Sequence, residues 1–112
     1  MKKIKIKSKE KTYILDVDDI LYCKASGSYS VIYLPEKENV VASFNLSQMQ
    51  ARLEFYLFMF RVSQSILVNL KYVKCIHHAE RELELRDLTR VSFTVNIRDI
   101  EEKLDSLIKE VG

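Results

Sequence analysis

Three short segments of the chain combine small polar side chains with nearby cations. They are Ser26–Ser30, Ser63–Ser65 and Asn96–Arg98, each at the junction of a predicted strand with a turn or helix. Hydroxyl and amide groups can hydrogen-bond to base edges or phosphates, and cations displace counterions from a polyanion. The cations near these segments in sequence are Lys24, Arg61, Lys71, Arg90 and Arg98. Because turns need polar residues for their own backbone, the pattern indicates nucleic-acid binding without establishing it.

Residues suited to catalysis or metal binding form no recognisable motif. Glu101 and Glu102 fall on the exposed face of a predicted amphipathic helix. The run Cys75–His78 ends in two adjacent histidines, which point to opposite faces of a strand, and no second cysteine pair completes a ligand set. The only glycines are Gly27 and Gly112, so there is no phosphate-binding loop. We expect no enzyme, no cofactor and no metal site.

Length and composition predict one ordinary globular domain over residues 1–112. Apolar residues make up 47% of the chain and charged residues 30%, which is enough for a core without metal or disulfide. The net charge of +2 is a weak indication of an acidic partner. The sequence has neither an apolar block typical of a secretory signal nor a membrane-spanning run, so we expect a cytoplasmic protein. Cys23 and Cys75 lie in apolar runs and are expected to be small core residues.

Hydrophobic periodicity predicts a mainly β, antiparallel fold with one short internal helix and one C-terminal helix. Alternating or continuous apolar runs predict strands at residues 3–7, 11–17, 20–25, 29–34, 40–44, 73–77, 82–86 and 90–95. Asn45 with Gln48 should cap the internal helix, and Asn96 the last one. The last helix should bury Ile97, Ile100, Leu104, Leu107, Ile108 and Val111. The aromatic run at residues 55–60 is interpreted as core.

The order and separation of several motifs resemble the LytTR family of DNA-binding domains. The motifs are Asp18–Tyr22, Ala25–Tyr29, Ser43–Leu46, Phe60–Asn69 and Thr94–Arg98, within a similarity that runs from Tyr13 to Leu107. The resemblance implies an elongated stack of short antiparallel sheets, whose loops enter successive major grooves of duplex DNA. It further implies a bacterial transcription regulator that binds direct repeats at promoters, as a dimer on DNA. Many family members carry an upstream receiver domain in a two-component pathway.

The resemblance also carries site residues onto this chain. The expected DNA-contacting residues are Lys24, Ser26, Ser28, Ser30, Arg61, Ser63, Gln64, Ser65, Asn96 and Arg98, with Ser28 or Ser30 nearest the bases. Asn69 belongs to the same signature, but we expect it to be structural, tying a strand end to the backbone.

Two departures from the family pattern leave an alternative open. Ser63 and Gln64 stand where the family commonly has histidine and a basic residue, and Lys24 where an acidic residue is common. Gln64 can still pair with adenine, so altered specificity and lost DNA binding are both consistent with the sequence. The alternative is a LytTR-like β-domain that acts as a protein-interaction module. A third hypothesis, single-stranded RNA binding through Tyr29 and Tyr33, needs exposed aromatic rings on a sheet face.

Overall fold

The regular structure of the chain consists mainly of short strands, and in several of them apolar and polar residues alternate with period two. The computed structural model describes residues 2–108. The strands are β1 (Lys3–Lys7), β2 (Thr12–Asp16), β3 (Tyr22–Ser26), β4 (Tyr29–Tyr33), β5 (Asn39–Ala42), β6 (Met59–Arg61), β7 (Ile66–Asn69), β8 (Val73–His77), β9 (Glu82–Leu85) and β10 (Arg90–Ser92). The helices are α1 (Leu46–Arg52) and α2 (Ile97–Leu107). Short 3-10 turns occupy Val17–Asp19, Pro35–Lys37 and Leu70–Tyr72.

The strands form three antiparallel sheets along an elongated molecule. β1 pairs with β2, the central sheet has the order β5-β4-β3-β7-β6, and the third sheet has the order β10-β9-β8. The molecule measures 48 × 30 × 26 Å along its principal axes. This architecture confirms the predicted fold class, a mainly β stack of short sheets with an internal and a C-terminal helix.

Two hydrophobic cores lie on opposite faces of the central sheet. Leu67 packs with Cys23 in the first core, which also takes Leu46 and Met49 of α1. Its neighbour Val68 belongs to the second core, together with Ile100 of α2 and the inner face of the third sheet. Since successive side chains of a strand point to opposite faces, β7 is buried on both, and every residue from Ile66 to Asn69 is buried.

Side-chain hydrogen bonds fix the helix starts and one strand end as predicted. The Asn45 side chain accepts from the Gln48 backbone N–H at 2.9 Å, and the Gln48 side chain accepts from the Asn45 N–H at 2.9 Å, a reciprocal capping box. Asn96 caps α2 by accepting from the Arg98 N–H at 2.9 Å. The buried Asn69 amide donates to the Ile20 carbonyl at 2.9 Å, which confirms its structural role.

Several residues expected in the core lie at the surface instead. Phe55 and Leu57, which were expected in the core, are 85% and 68% exposed because they lie in two successive turns after α1. Cys75 is exposed, unlike the buried Cys23. Ile108 at the end of α2 is 59% exposed, and Val111 lies outside the described residues.

A search of the helices among residues 2–108 finds none with the length and apolar character needed to cross a membrane.

Candidate nucleic-acid interface

The first two polar segments lie side by side at one end of the central sheet. The first is the turn of the β3–β4 hairpin, where Ser26 pairs with Tyr29 across a two-residue connection. The second is the connection between β6 and β7. The Ala25 backbone N–H donates to the Ser65 carbonyl at 2.9 Å, so it joins the two segments directly.

The third polar segment is attached to the second by backbone hydrogen bonds. The Val62 carbonyl, just before Ser63, accepts from the N–H groups of Thr94 at 2.9 Å and Val95 at 3.2 Å. Asn96 and Arg98 follow at once and are both exposed. The structure therefore brings together the three segments that were singled out from the sequence.

A groove of about 540 Å³ runs between the β6–β7 connection and β10. Its polar and charged lining consists of Tyr22, Lys24, Ser63, Gln64, Ser65, Arg90, Ser92 and Thr94. Four of these residues, Lys24 and Ser63–Ser65, belong to the predicted site. The groove is therefore lined by two cations, Lys24 and Arg90, and by hydroxyl and amide groups.

Ser92 and Thr94 are groove residues that the sequence did not single out as contacts, and Arg90 was noted only as a nearby cation. A signal for them was present: they alternate with Val91 and Phe93, which are buried, and so they share the outer face of the chain at β10. The sequence does not predict that this face lies beside the β6–β7 connection. That placement depends on the long-range hydrogen bonds from the Thr94 and Val95 N–H groups to the Val62 carbonyl.

Arg61 holds the second segment in shape. Its guanidinium donates from Nε to the Ser63 carbonyl at 2.8 Å, from Nη2 to the Gln64 carbonyl, and from Nη1 to the Gln50 side chain of α1 at 2.9 Å. Three of its N–H groups are thus used within the protein. The Gln64 side chain is exposed above this anchored backbone. Arg61 is placed as a residue that orients the loop.

Ser30 departs from the expected position near the bases. It is fully buried, and its hydroxyl donates to the Phe44 carbonyl at 2.8 Å. The reason is its register on β4, where period two places Ser30 on the same inward face as Ile32. This placement removes Ser30 from the candidate contact residues, whereas Ser26 and Ser28 are exposed.

The two polar side chains of the third segment, Asn96 and Arg98, are not equally available for contacts. The side-chain oxygen of Asn96 accepts the capping hydrogen bond of α2. The amide N–H groups of Asn96 are therefore the part of its side chain that can bind a ligand. Arg98 is exposed in the first turn of the helix. Of the two residues, Arg98 is the better placed to supply charge.

A second cationic region lies beside the first hairpin. A cavity of about 610 Å³ has among its lining residues Lys7, Lys9 and Lys11 of the β1–β2 hairpin together with Tyr29, which is 52% exposed. The sequence placed Lys7 and Lys11 only in predicted strands and gave no role to Lys9. Their approach to the Ser26–Tyr29 turn extends the positive surface along the molecule.

Acidic neighbours moderate the charge of Arg90. Its guanidinium lies 3.4 Å from Glu82 and 3.6 Å from Glu84. A hydrogen bond with His77 is the main reason that the pKa of Glu84 is lowered; burial opposes this shift, and the positive charges of Lys74 and Arg90 add to it. Glu84 is therefore a persistent negative charge beside Arg90.

The tyrosines do not form an open stacking platform. Tyr33 stacks on Tyr22 with ring centroids 4.5 Å apart, so these rings cover each other. Burial raises the pKa of Tyr22, with a smaller contribution from Tyr33. Tyr29 is on the same face of β4 but is exposed by itself. This arrangement gives little support to stacking of successive RNA bases.

Comparison with known proteins identifies the family of the domain. A family model described as the LytTr DNA-binding domain matches residues 10–96, which is most of the chain. A solved structure from Bacillus cereus, the LytTr DNA-binding domain of a methyl-accepting/DNA response regulator, superposes with a TM-score of 0.67. It is 16% identical, and the alignment covers 98% of this chain and 99% of that one. The curated proteins contain no match. The structural likeness establishes the fold, and the family match establishes that this chain belongs to the LytTr DNA-binding domain family.

Proposed function

We propose that this domain reads duplex DNA in a sequence-specific way as the output domain of a bacterial transcription regulator. In this proposal the turn at residues 26–28, the connection at residues 63–65 and the start of α2 contact successive major grooves. The preferred targets are direct repeats at promoters, each occupied by one copy of the domain, with two copies forming a homodimer on DNA. An upstream receiver domain, acting in a cytoplasmic two-component pathway, would supply the signal.

The adjacency of the three polar segments carries this proposal. Two backbone contacts, Ala25 to Ser65 and Val62 to Thr94, join residues that are 40 and 32 positions apart in the chain. The groove beside them presents Lys24 and Arg90 around exposed hydroxyl and amide groups. Cations fix a protein on phosphates and polar side chains discriminate base edges, so both requirements of a sequence-specific site are met on one surface.

The molecular dimensions also suit a duplex. The long axis of 48 Å exceeds the rise of one helical turn of DNA, about 34 Å. A molecule of this length, placed along the duplex, can therefore approach two neighbouring grooves without a recognition helix. The lysines of the β1–β2 hairpin, Lys7, Lys9 and Lys11, would add phosphate contacts beside the first loop.

The side chains differ in the role that we assign to them. Gln64 is exposed and its amide suits the N6 and N7 positions of adenine. Lys24, Arg90 and Arg98 are assigned to phosphates or guanine edges, and Ser26, Ser28, Ser63 and Ser65 to short hydrogen bonds. Arg61 is assigned mainly to loop positioning, because three of its donors are engaged with Gln50, Ser63 and Gln64. Asn96 contributes at most its amide N–H groups.

Selection from a randomised duplex pool tests the proposal. The full chain is used for the selection, and the enriched duplex is then titrated at two salt concentrations. An enriched motif whose affinity falls as salt rises is expected, because phosphate contacts release counterions. A folded sample that enriches no motif and shows no salt-sensitive binding would contradict the proposal.

Variants then locate the interface. Arg98→Ala should weaken binding to all duplexes and reduce the slope of log affinity against log salt by about 1. Gln64→Ala should instead relax the preference at one base pair, at a cost of about 1–3 kcal/mol for the best site. Lys3→Ala is the matched control, since Lys3 lies next to Glu36 and Glu38, at the far end of β4 from the first hairpin.

One observation favours the alternative function, a protein-interaction module. Phe55 and Leu57 form an exposed apolar pair in the segment that follows α1, and exposed apolar side chains of this size often mark contact surfaces. If this alternative holds, the protein does not bind DNA. Phe55→Ser should then abolish the capture of a partner from lysate. The alternative is excluded if Gln64→Ala and Arg98→Ala impair DNA binding while Phe55→Ser binds DNA as well as the unchanged protein.

A further inference from the structure

Cys75, His77 and Glu84 form a cluster on the outer face of the third sheet. The Cys75 Sγ lies 3.4 Å from His77 Nε2 and 3.7 Å from Glu84 Oε1, and the latter two atoms are 2.7 Å apart. Each residue offers one atom that can coordinate a metal, and the three atoms lie within 4.8 Å of one another. The cluster lies outside the groove assigned to DNA.

The local strand geometry explains why the three side chains meet. Cys75 and His77 are two residues apart on β8 and so share a face, and Glu84 is the cross-strand partner of Cys75 on β9. A register shift between Val73 and Cys75 interrupts the pairing at this point, and such bulges re-aim the side chains beside them. Ile76, between the two donors, packs inward against the second core.

The donor set has the chemistry that zinc prefers. Thiolate, imidazole and carboxylate are the protein ligands of Zn²⁺, with bond lengths of about 2.0–2.3 Å. Donors at those distances in a tetrahedron stand about 3.4–3.6 Å apart. The two distances that involve Cys75 already match this spacing. Only the hydrogen-bonded pair of His77 and Glu84 has to separate, by about 0.7 Å from its 2.7 Å.

The surroundings leave room for a metal but also contain competing cations. Lys74 Nζ lies 3.7 Å from Glu84 Oε2, and Arg90 Nη2 lies 3.6 Å from Glu84 Oε1. Both side chains are about half exposed, at 56% and 44%, so they can turn toward solvent when a metal takes their place. The exposed side of Cys75 leaves the fourth coordination position open to water.

We propose that Cys75, His77 and Glu84 bind a thiophilic divalent cation of the zinc class through three protein ligands and one water. Binding releases the thiol proton of Cys75 to solvent and replaces the hydrogen bond between His77 and Glu84 with two metal bonds. Because Nε2 of His77 must be unprotonated to coordinate, the proton that it shares with Glu84 leaves this nitrogen, and the neutral ring carries its proton on Nδ1. The soft sulfur ligand and the imidazole favour zinc-class ions over Mg²⁺ and Ca²⁺. Metal binding is measured directly and without DNA, so its test does not depend on the function proposed above.

Metal titration of the untagged full chain tests this inference. Under reducing conditions and in a weakly chelating buffer, Zn²⁺ should bind one to one by calorimetry and raise the unfolding temperature, since a ligand of the native state stabilises it. Co²⁺ as a spectroscopic probe should show a thiolate-to-cobalt charge-transfer band. That band reports Cys75, because Cys23, the other cysteine, is buried.

Substitutions make the outcome decisive. Cys75→Ser should remove the charge-transfer band, and His77→Gln should weaken Zn²⁺ binding by about tenfold or more. His78→Gln is the matched control, since His78 is the other histidine of the chain and lies outside the cluster. All three positions are at or near the surface, and circular dichroism verifies that each variant is folded. Absence of Zn²⁺ binding, or a charge-transfer band that survives Cys75→Ser, would overturn the proposal.

Discussion

Two serines of the first hairpin have opposite environments although they are only two residues apart. Ser28 is exposed in the turn, and Ser30 is buried with its hydroxyl donating to the Phe44 carbonyl. The same side-chain type therefore serves a candidate contact at one position and the fold at the other. Substitution of the two serines can therefore distinguish a hydroxyl group needed for stability from one proposed to contact DNA.

Removing the hydroxyl group from each serine should affect a different property at each position. We expect Ser30→Ala to lower the free energy of unfolding by about 1 kcal/mol, because the buried Phe44 carbonyl loses a donor, while duplex affinity is unchanged. Ser28→Ala should leave the stability unchanged and weaken duplex binding several-fold. Urea unfolding and fluorescence anisotropy with the selected duplex measure the two quantities. A fall in DNA affinity for a fully folded Ser30→Ala protein would contradict the assignment.

The position of Ser30 was accessible from the sequence. The alternation of Tyr29–Tyr33 places Ser30 with Ile32 on the apolar face, and the turn residues Ser26–Ser28 lie outside that alternation. The role of Arg61 was not accessible, since its bond to Gln50 joins two elements that the sequence does not show to be neighbours. Roles that depend on local period were predictable, and roles that depend on tertiary contact were not.

At the scale of the elements, the capping box of α1 stabilises the start of a short helix. The helix has 7 residues, and isolated helices of that length are not stable in water. Its buried residues Leu46 and Met49 pack on the first core, and the reciprocal bonds of Asn45 and Gln48 satisfy two backbone donors at its start.

Removal of the cap should destabilise the whole domain measurably. We expect Asn45→Ala to reduce the free energy of unfolding by about 1 kcal/mol, the usual cost of losing an N-cap side chain. Ser47→Ala, one position inside the helix and exposed, is the control and should change little. Urea titrations followed by circular dichroism give both values. Equal stabilities for the two variants would show that packing alone fixes the helix start.

The element predictions fail where turns or bulges break the period. The alternation at Lys3–Lys7 and the inward positions Leu83 and Leu85 are as predicted. The run at residues 55–60 contains consecutive apolar residues, so it carries no period that distinguishes an inner from an outer side. Cys75 is exposed beside a register shift. The run Cys75–His78 is visible in the sequence, but the shift and the approach of Glu84 from β9 are not.

At the scale of the whole molecule, Asp18 connects distant parts of the chain. Its carboxylate pairs with Lys71, which follows β7, and lies 3.5 Å from Lys2, which precedes β1. The hydrogen bond from Lys71 is the main reason that the pKa of Asp18 is lowered below its ordinary value of 3.8; burial opposes the shift, and the charges of Lys71 and Lys2 add to it.

This pairing predicts a specific loss of stability in acid. Because the folded pKa is lowered, the stabilisation is present above the unfolded pKa near 3.8 and is lost as pH falls through the folded pKa. Asp18→Asn should therefore flatten the fall of unfolding free energy with pH below about pH 4. Lys71→Gln should produce the same flattening. Urea unfolding across that pH range measures it, and an unchanged acid slope in both variants would rule out the pairing.

The elongated shape makes a prediction about the length of DNA that the domain needs. At about 3.4 Å per base pair, the long axis of 48 Å corresponds to about 14 base pairs. Shortening the selected duplex from about 20 to about 8 base pairs around its centre should weaken binding and lower its salt dependence, because phosphate contacts at both ends are lost. Anisotropy titrations with nested duplexes measure this. Full affinity for the shortest duplex would mean that a single groove is contacted.

The way Arg61 holds the β6–β7 connection affects how this domain can acquire new targets. The guanidinium binds the carbonyl groups of Ser63 and Gln64, which any amino acid presents. The backbone of the loop is therefore held by bonds that do not depend on which side chain stands at position 64. Natural variation or a combinatorial library at position 64 can therefore change the side chain that the loop presents while its backbone conformation is retained.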